Sequence, residues 1–279
     1  MSIRITPVVA GRTQAGTRTD FVKTVQVPPL GDVAAPIASL AHYVVTAPMV
    51  GPRLEPGLSS VTYVLRNSQA GMRSRDSLGN DLVMRPGGLV WTQGRCGIAH
   101  EHLPAESGRE LSCLQLHVHP GFSRTNPVHL VHRVEPEQVP EWRSGSGDCV
   151  RVVAGTYGGH ASPMAQTHAF TLLDVSLRSG VYFDVAAGHG TVVYVLAGFA
   201  LALTGSHLVR LEPGQAFALH NPRGNGLLQL VGSGHLLVID APAASSPLRQ
   251  GSERARSGGA GVNPRTVRAE SLLEPATAF

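Results

Sequence analysis

Lysine is nearly absent from this chain. One residue, Lys23, stands against 22 arginines, and the arginines are scattered along the sequence rather than clustered. A nucleic-acid surface needs basic residues gathered on one face with aromatics between them. The formal net charge of +4 therefore reads as compositional bias, and no direct nucleic-acid partner is expected. Cysteine is scarce as well. Cys96, Cys113 and Cys149 are odd in number and have neither C-x-x-C nor finger-like spacing, which excludes a disulfide framework and a thiolate zinc site and leaves three reduced thiols.

Long apolar runs are also lacking. Nothing approaches the roughly 18 to 20 residues that a membrane helix needs, and the opening "MSIRITPVVAGRTQ" has no continuous apolar core of the signal-peptide kind. These features predict a cytoplasmic protein with no membrane partner. Helical periodicity is weak throughout, the best candidate being a short turn near Pro136 to Trp142.

What the chain does have is glycine and proline, 32 and 20 of them, with 42% hydrophobic and only 15% charged residues. That balance suits many short strands joined by tight turns, and its 279 residues suffice for about two domains of ordinary size. Two segments are alike. "SSVTYVLRNS" and later "LVMRPGGLVW" match "GTVVYVLAGF" and later "LVRLEPGQAFAL", with Tyr63 and Tyr194 lying 131 positions apart and Pro86-Gly87 and Pro213-Gly214 lying 127 apart. Each copy is a β-branched and aromatic run, a turn, a second strand and a Pro-Gly turn into a third, the pattern of antiparallel hairpins. The expected fold is all-β, two similar barrels or sandwiches in tandem. A first domain covers 1–135, a linker 136–148, a second domain 149–241, and a tail at 242–279 is expected to be disordered, with five arginines among small and polar residues.

Residues at i and i+2 on a strand share a face, so a small barrel can aim such a pair at one interior point. Three pairs fall in the first domain: Arg53/Glu55, His100/His102 in "GIAHEHLP", and His117/His119 in "LQLHVHP". Imidazole and carboxylate together suit Fe, Mn, Ni, Cu or Zn. Taken singly, each pair is as well read as surface or hydrogen-bonded polar residues, and Arg53 as a loop charge or a partner for Glu55. Glu101, between two inward histidines, should face solvent.

"SSVTYVL", "SRDSLGN", "MRPGGLVWTQGRCGIAHEHLP" and "CLQLHVHP" follow one another in the order and spacing of the pirin family, which the chain resembles densely over Gly51 to Pro120 and more loosely over roughly residues 10 to 240. The resemblance implies two tandem cupin β-barrels with one metal, usually iron, in the first. It places the family's two histidine ligands of a H-P-H loop at Arg53 and Glu55, and the ligands of its H-S-E motif at His100 and His102. Only His100 is an unchanged ligand. Glu55, His100 and His102 would form a two-imidazole, one-carboxylate set, with His117 a possible fourth ligand, while Arg53 places a permanent cation beside them. In the second barrel the matching positions are Asp184, Ala186, Leu227 and Gln229, which form no ligand set. His189 and His220 remain there as isolated histidines, read as structural or exposed.

The resemblance supports two functions. One is a quercetin 2,3-dioxygenase-like oxygenase acting on a small flavonol-like aromatic, with Fe(II) foremost, Glu55 as base and Arg53 on an anionic substrate oxygen. The other is a non-catalytic regulator that binds a partner protein, its metal site impaired or empty. A metal-free small-molecule site built from Arg53, His100 and His117 is a third reading.

Overall fold

The computed structural model describes residues 3–15, 22–27, 30–34, 37–46, 53–54, 59–93, 98–118, 130–164 and 170–242; the strands and sheets below are those of the described residues. The expected tail lies outside them, apart from Pro242, which ends the strand Gly226–Pro242.

Strands dominate, as the turn-rich composition predicts. A seven-stranded antiparallel sheet runs in the order Leu130–Val134, Leu89–Gln93, Ser59–Val64, Leu111–Val118, Ile37–Val45, Val22–Val27, Arg12–Ala15, and a four-stranded sheet in the order Arg53–Leu54, Ala99–Pro104, Met72–Asp76, Asp81–Met84. Their facing sides close over Tyr43, Val45, Val64, Met72, Met84, Val90, Leu111 and Cys113. A ten-stranded sheet built mainly on the long strands His189–Thr204 and Gly226–Pro242 encloses a second core that includes Val175, Phe183, Val193, Phe217 and Leu236. Among the described residues the helical elements are two 3-10 turns, Gly31–Ala34 and Pro136–Gln138. The latter falls within the one stretch that the sequence singled out.

The internal duplication is visible in the hydrogen bonds. Gly87 donates its N–H to the Val64 carbonyl at 2.8 Å, and Gly214 donates to the Val195 carbonyl at the same distance. Each contact closes a Pro-Gly turn, at φ +91° and +80°, against the residue after the repeated tyrosine. Glycine takes that left-handed conformation at little cost.

Strands Ser59–Val64 and Cys149–Ala154 are buried on both faces. One face of Ser59–Val64 looks into its own barrel. The other contributes Val61 and Tyr63 to a third apolar cluster, shared with Trp91, Leu114 and Leu116 from the first half and Val153, Leu172, Tyr194, Leu237 and Ile239 from the second. Residues 1–244 accordingly form one compact unit. The segment between the halves is structured: Glu141–Arg143 pairs with Cys149–Ala154, setting Trp142 opposite Val150.

The opening residues join the second sheet. Arg4–Ile5 and Val9–Ala10 both pair with Gln215–Asn221, reinforced where Thr6 donates its N–H to the Ala218 carbonyl and accepts the Ala218 N–H on its hydroxyl, each at 2.9 Å. Only at Arg12–Ala15, paired with Val22–Val27, does the chain enter the first sheet.

Candidate functional site

The strand Ala99–Pro104 alternates in burial, with His100, His102 and Pro104 buried and Ala99, Glu101 and Leu103 less so. This is the period-2 pattern of a barrel wall, and it turns both histidines inward. Their rings lie 4.8 Å apart between centroids. Glu101 points to the opposite face and meets Arg75 at 3.4 Å, as its position between two inward residues requires.

The neighbouring strand Leu111–Val118 sends Leu111 and Cys113 into the first barrel's apolar core and Leu114 and Leu116 to the shared core. By the same alternation Gln115 and His117 share the inward face. Gln115 Nε2 lies 3.2 Å from His100 Nε2 and 3.3 Å from Ser60 Oγ; His117 Nδ1 lies 2.6 Å from Ser39 Oγ. The interior is thus apolar at one end, around Met72 and Leu111, and polar at the other, around three imidazoles. Burial, and then the nearby His100 and His117, push His102 down to about 3, because a charged ring would lose its hydration beside two others. His102 is neutral at physiological pH, the form in which imidazole ligates metals.

Of the residues expected to carry chemistry, His100, His102 and His117 are brought to one end of the first barrel. Arg53–Leu54 pairs with Ala99–His100, with Arg53 the direct register partner of His100, while Glu55 and His119 lie outside the described residues. Among the described residues no three His, Cys, Asp or Glu side chains stand close enough together to hold a metal ion. The donor chemistry of His100 and His102 fits two ligands of such an ion, and any further ligand would have to come from outside the described residues. Gln115 and Ser39 were not anticipated. The spacing of Gln115 two residues before His117 is the signal that could have found the first.

Asp76, the register partner of His100, takes no part in this polar end. Its carboxylate accepts the N–H groups of Leu78 and Asn80 and the Asn80 side-chain amide at 2.7 to 3.1 Å, which spends it on the turn of "RDSLGN". Among the described residues Cys113 and Cys149 are free, and burial lifts the Cys113 thiol to about 12, far from a reactive thiolate. The second barrel keeps the register of the first, since Asp184 pairs with Leu227 as Arg53 pairs with His100. There the inward residues are Phe183, Leu228 and Leu230, and Leu227 is 50% exposed.

Two antiparallel barrels of this build, one with a polar imidazole-bearing interior and the other with an apolar core, make the molecule an all-β bicupin. Residues 31–118 match the pirin family model. A Pseudomonas aeruginosa protein provisionally named a quercetin 2,3-dioxygenase is 28% identical over 195 residues, covering 63% of this chain and 66% of that one. Among solved structures, a quercetin 2,3-dioxygenase from Acinetobacter baumannii superposes with a TM-score of 0.72 at 20% identity, covering 88% of this chain and 89% of that one. A bacterial pirin from Escherichia coli in complex with nickel(II) does so with a TM-score of 0.60 at 15% identity, covering 86% and 99%. The chain spans roughly half to two thirds of the length of the curated relatives it matches. Over residues 31–118, within the first barrel, the chain is thus similar to the pirin family. No helix among the described residues is long and apolar enough to cross a membrane.

Proposed function

We propose that this cytoplasmic protein holds one divalent cation in its first barrel, between His100, His102 and Glu55, and acts as a non-haem oxygenase on a small flavonol-like aromatic. The observation that supports this reading is the pair of buried imidazoles turned to one face with centroids 4.8 Å apart. Two neutral imidazoles with one carboxylate suit Fe(II) foremost, with Mn, Ni, Cu and Zn as alternatives. His117, on the adjacent strand and expected as a fourth ligand, does not join that set, since His100, His102 and His117 do not stand close enough together to share an ion. The relatives named for quercetin dioxygenation and the nickel(II)-bound neighbour supply the reaction class and the kind of ion.

When bound, such an ion supplies Lewis-acid polarisation of a substrate hydroxyl and access to O₂ chemistry. Glu55 would take the hydroxyl proton, and Arg53, in register with His100, would hold an anionic substrate oxygen. The apolar end of the barrel, lined by Val64, Met72 and Leu111, keeps water from the substrate's far side. The division into domains 1–135 and 149–241 about a connector at 136–148 belongs to the same proposal, with the chemistry confined to the first.

The test is metal analysis of untagged protein beside His100→Ala, followed by quercetin absorbance under O₂ after loading with Fe(II), Mn(II), Ni(II) or Cu(II). About one ion per chain in the wild type, lost in the variant, together with a fall in quercetin absorbance, supports the reading. Metal without quercetin loss removes the oxygenase and keeps the site.

A specific observation favours a second reading, a non-catalytic regulatory module that binds a partner protein. Gln115 and Ser39 already stand at hydrogen-bond distance from ring nitrogens of His100 and His117, so the polar end is served by the protein's own groups. No metal in either protein would select this reading.

A further inference from the structure

The second barrel has a cavity of its own. It has a volume of about 520 Å³, within the range of small-molecule sites, and opens at the end where His189–Thr204 begins and Gly226–Pro242 finishes. Leu173, Val185 and Val238, all buried, form its apolar wall.

Aromatic rings frame the entrance. Trp142 packs edge-on against Tyr157 at 5.4 Å between centroids, and Tyr157 continues to Phe183 at 5.2 Å. The Tyr157 hydroxyl donates to the Tyr182 carbonyl at 3.1 Å. Tyr182 lines the cavity as well, but its ring turns to the outer face, where the Gln229 amide donates to its hydroxyl at 3.0 Å. The Trp142 ring comes so close to the turn after Tyr157 that a Cβ on Gly158, at φ +55°, would sit 2.6 Å from its Cδ1. Only glycine permits that approach.

The polar part is small and directional. Asp240 accepts the Thr191 hydroxyl on Oδ1 at 2.7 Å and lies 2.7 Å from His189 Nδ1 through Oδ2. A carboxylate can only accept, so Nδ1 carries a proton and Nε2 is the ring nitrogen turned away from Asp240. Each carboxylate oxygen thereby already has one partner, and His189 offers its second ring nitrogen to a ligand. Asp184 also lines the cavity. With Asp240 it makes the site negative, which repels an acid and suits a neutral donor.

We infer that the second barrel is a binding site for a neutral, planar, hydroxyl-bearing aromatic, stacked against Trp142 and Tyr157 with its hydroxyl donating to His189 Nε2. This site is separate from the imidazole end of the first barrel and does not depend on metal there. It gives the non-metal barrel of the pair a recognition role that its lack of a ligand set does not suggest.

Calorimetric titration of the full chain with 2-naphthol tests it, with 2-naphthoate as the anionic counterpart of the same ring size. Saturable binding at one site is expected, with naphthoate weaker. His189→Asn keeps a donor to Asp240 in the place of Nδ1 and removes the acceptor, so affinity should fall about tenfold or more. Tyr157→Leu, which removes the ring but keeps apolar bulk against Phe183, should also weaken binding, and His100→Ala should not change it. Absence of saturable heat into the millimolar range overturns the proposal. So does unchanged affinity in both His189→Asn and Tyr157→Leu, naphthoate bound as tightly as naphthol, or loss of binding in His100→Ala.

Discussion

The Tyr63 hydroxyl donates to Asp174 at 2.6 Å from the first barrel to the second. Both residues are buried, and the contact sits in a wider network: Arg151 donates to the same tyrosine oxygen at 2.7 Å, and His235 Nε2 lies 2.5 Å from the other Asp174 oxygen. Burial, then the Asp174 charge, raises Tyr63 well above the ordinary phenol value, so it remains a donor at any pH the protein meets. Replacing it with Phe leaves buried charges with a partner missing, which costs about 1 to 3 kcal/mol. A urea midpoint for Tyr63→Phe equal to that of the wild type would show that the contact carries no stability.

The Asp174–His235 pair makes stability depend on pH. Burial alone would raise the carboxyl, but the hydrogen bond and charge of His235, with Tyr63 and Arg151, hold it below its ordinary value of 3.8. Burial would likewise lower His235, yet Asp174 raises it above 6.5. A lowered acid stabilises above its unfolded value and loses that contribution as pH falls. A raised base stabilises below its unfolded value and loses it as pH rises. The pair therefore contributes fully between about 4 and 6.5. The difference in urea midpoint between wild type and His235→Gln should be widest near pH 5 and shrink toward pH 9; an equal difference at the two pH values contradicts this.

Restoring the family's ligand set separates an empty site from a permuted one. The triple variant Arg53→His, Glu55→His, His102→Glu should leave metal content near the wild-type level if Glu55, His100 and His102 already bind. A sharp rise, read by elemental analysis of untagged protein, would show that Arg53 keeps the native site empty.

Gly158→Ala is expected to destabilise by about 1 to 3 kcal/mol, because it forces a side chain into left-handed backbone and against an indole ring. Trp142 emission should shift at the same time, since its ring must move. Thermal melting and fluorescence spectra together check this, and an unchanged spectrum would place the indole away from the turn.

Much of this fold is legible in the residues, and the reasons are local. Tyr63 and Tyr194, with the two Pro-Gly pairs, mark the repeat because strand alternation and left-handed turns impose residue types wherever they occur. His100 and His102 read as inward because a strand fixes that from spacing alone. The second barrel's chemistry was not legible by the same rule. His189 looks isolated in the sequence, yet Asp240 meets it from 51 positions away, and Trp142 reaches the cavity from a segment that reads as a linker. Those neighbours are set by strand order and by how two sheets share Tyr63, Trp91, Leu172 and Tyr194, which no short window records. Gln115 was passed over for a simpler reason: an amide between apolar residues carries no motif, only a face.

The strand that Arg4–Ile5 and Val9–Ala10 join, Gln215–Asn221, bears on how the molecule is made. Translation at about 5 to 20 residues per second leaves those opening residues waiting roughly 10 to 40 s for their partner. The first barrel can fold in that interval, but the chain's beginning cannot be placed until its second half is complete. Changes to Arg4–Ala10 should therefore register as faults in the second barrel, whose partner strand lies about 210 positions further along the chain.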